Sequence, residues 1–303
     1  MKRRVFSLLL ALSLMGSFLP AAHAEREIPP VTALCASDSG GSARLDDGEF
    51  QRLCRYATGH DLESVTIEND LPARTGTLTY DGERVTAEQT FYPEDEPYLS
   101  QVRFTPYTHS ASSRFTGRDE VAFTMTSDRD ETVSGTLVLY VPEEMEEIDV
   151  PAEAVTALRV DAGTVVSLTD PLPTKICYKV NWYPSQGTSW RGENGDIYTE
   201  GDIDSLTFVL PSPSQGCLWL DYEYSTARKV LPGEVLYSDR EPNCYSVTFV
   251  PAHKKGDKVQ LNYFAASGKR TDLPGAVTIE LVEKAKPKPT KPAEKPEPVG
   301  PQF

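Results

Sequence analysis

The chain carries one ordered set of short segments twice, and self-similarity on that scale restricts it to serial copies of one module. Val-Thr-Ala-Leu stands at Val31–Leu34 and again at Val155–Leu158. Leu53-Cys54 is echoed by Ile176-Cys177, Asp61–Ile67 by Asp202–Phe208, and Gly76-Thr77-Leu78 by Gly216-Cys217-Leu218. Pro97–Pro106 returns as Pro242–Pro251, and Gly135–Leu139 as Gly275–Ile279. Modules in series suit extended binding and scaffolding proteins, which stack units, better than a composite active site.

Within each copy the dominant period is two. Val102-Arg103-Phe104 and Val121–Thr126 alternate large and polar side chains, as do Val247-Thr248-Phe249, Val259–Tyr263 and Val277–Leu281. Alternation rich in β-branched and aromatic residues marks strands with one buried face. Asp81-Gly82, Pro232-Gly233 and Ser267-Gly268 supply the turns. The reading is all-β: two tandem Ig-like β-sandwich modules, residues 28–142 and 151–283. The acidic stretch 143–150 between them is expected to keep the modules separate.

One helix is predicted, in the first copy. Asp46 caps it, Glu49 completes a capping box, and Phe50, Leu53, Cys54 and Ala57 form an apolar stripe that ends at Gly59. In the second copy Pro171 and Pro173 precede the matching stretch, which is either a shortened helix or a strand. That copy also holds an insertion of about eighteen residues between Cys177 and Asp202. Trp182, Tyr183, Trp190 and Tyr198 lie there among Gly, Ser and Asn. Aromatic faces beside polar side chains are able to stack on sugar rings, so a carbohydrate-binding loop is one reading. An extra hairpin whose aromatics cover the sandwich edge is the other.

The ends differ from the body. Residues 1–24 read as a signal peptide: Lys2-Arg3-Arg4, a short apolar run from Val5, and Ala22-His23-Ala24 as the cleavage site. The apolar run is shorter than the roughly 20 residues a bilayer crossing needs. The expected location is therefore secreted, in the cell wall or on the extracellular surface, with no membrane contact after cleavage. Residues 284–303 are rich in Lys and Pro without apolar periodicity, and are read as a disordered tail favouring extended polyproline II.

Removing the leader's three basic residues takes Lys and Arg from 30 to 27 against 45 acids, a net charge of −18. Such a surface repels phosphate backbones, which excludes nucleic acid as a partner. Clusters at Glu94–Glu96, Asp128–Glu131 and Glu143–Glu147 lack the spacing of a calcium loop and read as solvated turns. No metal and no cofactor is expected. His60, His109 and His253 fall in no zinc-binding spacing, and no nucleophile elbow or phosphate-binding glycine loop occurs. No catalytic residues are assigned, and the chain is read as non-enzymatic. Five cysteines leave at least one thiol over. The pairings favoured for an exported chain are Cys217–Cys244 and Cys35–Cys54.

The order of Phe50–Cys54, Thr58-Gly59, Asp61–Ile67, Gly76–Tyr80 and Val102–Pro106, repeated through Leu206–Pro211, Gly216, Val247–Pro251 and Gly275–Ile279, resembles a known arrangement. It is similar to the tandem Ig-like or cadherin-like β modules of secreted Firmicutes surface proteins, often joined to S-layer-homology domains that hold secondary wall polymers. The resemblance implies a structural or interaction scaffold of the cell envelope, with a cell-wall polymer or surface protein as partner. It supplies no catalytic or binding residues. No S-layer-homology domain and no sortase signal follows the Lys/Pro segment in this sequence.

Overall fold

Residues 30–110, 113–143, 148–180, 189–191, 195–252 and 257–282 are described by a computed structural model. The leader, the Lys/Pro tail, Trp182, Tyr183 and His253 lie outside them. The first module pairs β1 (Val31–Ala36), β11 (Thr132–Val141), β10 (Gly117–Ser127), β3 (Leu62–Ile67) and β6 (Gln89–Phe91), in that order, in one sheet. Its facing sheet runs β2 (Ala43–Arg44), β7 (Arg103–Pro106), β4 (Gly76–Tyr80), β5 (Glu83–Arg84), and a small hairpin joins β8 (Thr108–Ser110) to β9 (Ser113–Arg114).

The second module repeats this order strand for strand. One sheet is β12 (Val155–Asp161), β23 (Arg270–Val282), β22 (Lys258–Ser267), β17 (Ser205–Phe208), β20 (Leu236–Tyr237). The other is β13 (Val166–Ser167), β21 (Val247–Pro251), β18 (Gly216–Leu220), β19 (Arg228–Lys229). In both modules the first strand runs parallel to the last, and the other pairs are antiparallel. Each is an Ig-like sandwich with its own core.

Alternation decides which side chains enter those cores. Val121, Phe123 and Met125 of β10 point inward while Glu120 and Ala122 are exposed; Val259, Leu261 and Tyr263 of β22 do the same. Phe123 lies opposite Gly135, and Tyr263 opposite Gly275. The ring covers the glycine in each case: a Cβ would stand 2.3 Å from Phe123 Cζ and 2.4 Å from Tyr263 Cζ. Glycine is needed there for space, so the aromatic of one strand can fill the bare position of its neighbour. The prolyl bonds Glu96–Pro97 and Glu241–Pro242 are both cis.

The modules diverge at three places. The predicted helix is present as α1 (Asp47–Thr58), between β2 and β3. Its counterpart is a strand, β14 (Lys175–Val180), paired with β16 (Ile197–Asp202), which also pairs with β15 (Ser189–Arg191). Cys54 on the helix is thus matched by Cys177 on a strand. Second, the two Val-Thr-Ala-Leu segments are not in structural register. Leu34 pairs with Val138, whereas Ala157, not Leu158, pairs with Thr278, the partner of Val138 in the repeat. A slip of one residue turns a strand over, so Ala33 is buried and Ala157 exposed. Third, the modules are not separate, since Lys229 reaches Glu49 and Leu34 and Arg52 lies over Trp219, while residues 144–147 of the acidic stretch between them lie outside the described residues. The face carrying α1 and β1 rests on β18 and β19 of the second module.

Candidate functional site: the junction between the modules

Helix α1 begins where Asp46 Oδ1 accepts the Glu49 backbone N–H at 3.3 Å. It ends at Gly59, whose positive φ of 85° makes the left-handed cap, with its N–H on Arg55 O at 2.8 Å. Phe50, Leu53, Cys54 and Ala57 are buried against the first core. The flank of the helix then carries Asp46, Glu49 and Arg52 toward the second module.

Glu49 does not close the capping box expected of it. Its side chain is 2% exposed and reaches out of the module. Oε1 accepts the Leu34 N–H at 3.1 Å, and Oε2 accepts Lys229 Nζ at 2.9 Å. Lys229, on β19, also donates to Asp46 Oδ2 at 3.0 Å and to Leu34 O at 3.4 Å. An ammonium has three N–H groups, and all three are used. Leu34 sits on β1, an edge strand whose outward N–H and C=O would otherwise stay unpaired. One carboxylate and one ammonium from opposite modules satisfy both.

Aromatic contacts extend the junction. The Arg52 guanidinium lies 5.1 Å from the Trp219 ring centroid and 5.3 Å from that of Tyr222, and donates to Tyr222 O at 3.3 Å. Lys229 Nζ stands 5.6 Å from the Trp219 ring. Ser212 Oγ donates to Asp38 Oδ1 at 2.5 Å. Cation–π contacts of this kind contribute about 0.5–2 kcal/mol each when partly desolvated.

Burial controls the charges. It raises the Glu49 pKa, and Lys229 only partly opposes this because Asp46 adds a second negative charge. Burial by itself would lower the Lys229 pKa, but Glu49 and Asp46 together outweigh it and hold the ammonium charged above its ordinary range. One cation between two acids favours the charged lysine and leaves the more deeply buried acid disfavoured.

These residues are where the repeat breaks down. The registers Gly76↔Pro106 and Gly216↔Pro251 align β4 with β18. Trp219 therefore replaces Thr79, Cys217 replaces Thr77, and Lys229 replaces Arg84. On the other side, α1 is the element the second module lacks. Sequence patterning assigns Glu49 only to a capping box and gives no signal for Lys229, because an acid in a first helical turn and a lysine in a short strand have ordinary local explanations.

Neither expected disulfide forms: all five cysteines are free thiols. Cys217 faces β21 at Val250, while Leu220, at the other end of β18, faces Val247; Cys244 lies beyond that far end and points into the second core. Cys217 instead points at the junction and accepts Trp219 Nε1–H at 3.1 Å. Cys35 is in the first core beside Arg44 O, and Cys54 turns to Thr58 within the helix. Burial pushes the Cys35 thiol up to about 12 and those of Cys177 and Cys244 to about 11, and raises Cys54 and Cys217 as well. Thiols in that range are protonated and poorly nucleophilic at neutral pH.

Of the four insertion aromatics, the structure places two. Trp190 on β15 and Tyr198 on β16 are directly opposed, with ring centroids 6.2 Å apart and planes at 26°. Tyr198 is buried, so one face of Trp190 is taken by the protein. Beside them an open cleft of about 900 Å³ is lined by Tyr178, Lys179, Asp196 and Pro274. His60 and His109 stand apart, at the end of α1 and on β8. Among the described residues no three His, Cys, Asp or Glu side chains converge as metal ligands. No helix among them is long and apolar enough to cross a membrane.

No protein-family model matches the chain, and no curated protein matches it. Among solved structures it is similar to the endo-fucoidan hydrolase MfFcnA9 of glycoside hydrolase family 107, at 12% identity and TM-score 0.22; the match covers 83% of this chain and 33% of that enzyme. It is also similar to the IG1+IG2 segment of DIP-gamma, at 7% identity and TM-score 0.20 over 85% of this chain and 97% of that one. The two tandem V-type regions of VCBP3, a v-region-containing chitin binding protein, match at 12% identity and TM-score 0.18 over 84% and 98%. The chain spans a third of the hydrolase. Likeness at this level carries no activity, ligand or partner across.

Proposed function

We propose that the protein is an exported, non-catalytic scaffold of the cell envelope, a tandem unit that presents two Ig-like modules at one fixed angle. The built junction carries this reading. Burying an acid and a lysine costs several kcal/mol per ion before their attraction offsets it, so selection for a set geometry explains the arrangement better than selection for stability alone. The leader-like residues 1–24 and the Lys/Pro segment 284–303 support export and attachment to, or spacing from, a wall. Fractionation of the producing cells tests it. Mature protein sedimenting with wall material is expected; protein found free in the medium and never with wall would contradict it.

A carbohydrate-binding role has one observation in its favour: Trp190, half-buried, stacks on Tyr198, which lines the cleft together with Tyr178 and Asp196. Glycan-array binding that disappears in Trp190→Ala would establish that role over scaffolding alone. Equal signals for both proteins would remove it.

A further inference from the structure

A second cleft, of about 580 Å³, opens across the junction itself. Its floor is apolar, with Leu53 of α1, Leu231 and Pro242, and Tyr56 stands on its edge, 47% exposed. Asp221 and Glu241 line it, while Arg228 there is neutralised by a bidentate pair with Glu234, at 3.0 and 2.5 Å. The site is therefore an apolar groove edged by one tyrosine and two prolines, Pro30 and Pro242, with excess negative charge, formed only while the two modules are docked. Such grooves bind proline-rich extended peptides at low entropic cost, because those peptides are already stiff, and rim acids select for lysine or arginine.

This chain contains a segment of that chemistry. Lys284-Ala285-Lys286-Pro287-Lys288-Pro289-Thr290-Lys291-Pro292 has four lysines, three prolines and no acid. It begins two residues after β23 ends at Val282, at the end of the second module where Lys258 pairs with Glu280. The cleft is at the opposite end. Pro242 O accepts the Tyr237 N–H, Tyr237 pairs with Ser205, and Ser205 pairs with Ala266, eight residues along β22 from Lys258. Counting two more positions from Glu280 to Val282, the separation is roughly 33 Å at about 3.3 Å per residue. A fully extended chain covers it only from about Pro292 onward, and the residues beyond include Glu294 and Glu297. Only the last residue of the lysine-rich run reaches the edge of the cleft of its own molecule, so the run cannot lie in it.

We propose that the cleft binds the Lys284–Pro292 run of a second copy of this chain. The contact joins two different surfaces, so it propagates head to tail into chains of molecules, or closes into rings where the geometry of the tail permits. It extends the scaffold reading by naming a partner, and its test is made in solution, where failure leaves the fractionation result standing.

Sedimentation of the full chain over a range of concentrations tests the proposal. The expected result is concentration-dependent assembly that weakens at least tenfold between low and high salt. Two variants remove one side each: Lys284→Glu with Lys286→Glu, Lys288→Glu and Lys291→Glu removes the tail, and Asp221→Asn with Glu241→Gln removes the cleft. Asn is chosen because position 221 has a φ of 51°, which Asn tolerates. Each variant alone should be monomeric, or at least tenfold weaker in association. Mixed together they should form a one-to-one dimer, since one retains an intact cleft and the other an intact tail. A wild-type chain monomeric at all concentrations, variants that assemble like wild type, or a mixture that stays monomeric would each overturn the proposal.

Discussion

Glu49 and Lys229 pull against their surroundings in opposite senses. The carboxylate sits where burial disfavours its charge, while the ammonium is held charged by two acids. Glu49 has a folded-state pKa above the ordinary value of 4.5. Its contribution to stability is therefore fully present below about pH 4.5 and is lost as pH rises through the raised value. Lys229 is also displaced upward, so its contribution persists through neutrality and is lost only as pH climbs past the ordinary lysine range. Removing the cation alone leaves a buried acid uncompensated. Lys229→Met should destabilise the protein by about 3–5 kcal/mol in urea unfolding at neutral pH. The deficit should shrink as pH falls toward 4.5 and Glu49 takes up a proton. A deficit independent of pH would mean that Glu49 carries no charge in the variant at neutrality. Asp46 has two tasks, the helix cap and one contact to Lys229, and they are separable. Asp46→Asn keeps the capping oxygen, whereas Asp46→Ala loses it and should cost about 1 kcal/mol more, read from the same unfolding curves.

Among the elements, the paired long strands make the sharpest demand on sequence. Adding a methyl at Gly135 drives it into the Phe123 ring, and at Gly275 into Tyr263. Gly135→Ala and Gly275→Ala should each cost about 1–3 kcal/mol by overpacking, seen as a lower urea midpoint with an unchanged slope. A neutral result would show that the rings have room to move away. These strands were legible because alternation of large and polar residues is a local signal, and β10, β11, β22 and β23 carry long runs of it. The helix was legible too: Asp46, the stripe through Phe50 and Ala57, and Gly59 each state a boundary or a face. Its counterpart was not, since Ile176-Cys177 matches Leu53-Cys54 in composition while the insertion behind it supplies a strand partner, β16. The Val-Thr-Ala-Leu echo misled for a related reason. Identical residues give no register, and in β12 the outer face is left uncovered where α1 and the second module cover β1.

At the scale of the whole molecule, the tandem Ig-like organisation was readable from the order of the echoes, but the docking was not. The interface is made of the positions at which the copies differ, Trp219 for Thr79 and Lys229 for Arg84, together with a helix present in only one of them. A comparison that seeks similarity passes over such residues. It also takes the acidic stretch 143–150 as a separator, although net charge says nothing about a contact built from a few paired groups. Arg52 is the contact most easily removed without disturbing either core. Arg52→Ala should leave unfolding of the modules intact yet broaden the small-angle scattering distance distribution, as the modules gain freedom. An unchanged distribution would assign the docking to the contacts of Lys229 with Glu49, Asp46 and Leu34 and to the Ser212–Asp38 bond.

The junction is tested most directly at the Leu34 amide, by hydrogen exchange in the full-length protein. That N–H lies on an edge strand with no strand partner on its outer side, and its acceptor is Glu49, roofed by the second module. Slow exchange is predicted, accelerated in Lys229→Met. Exchange as fast as at Ala157, the matching position on the uncovered edge of β12, would contradict the docked arrangement.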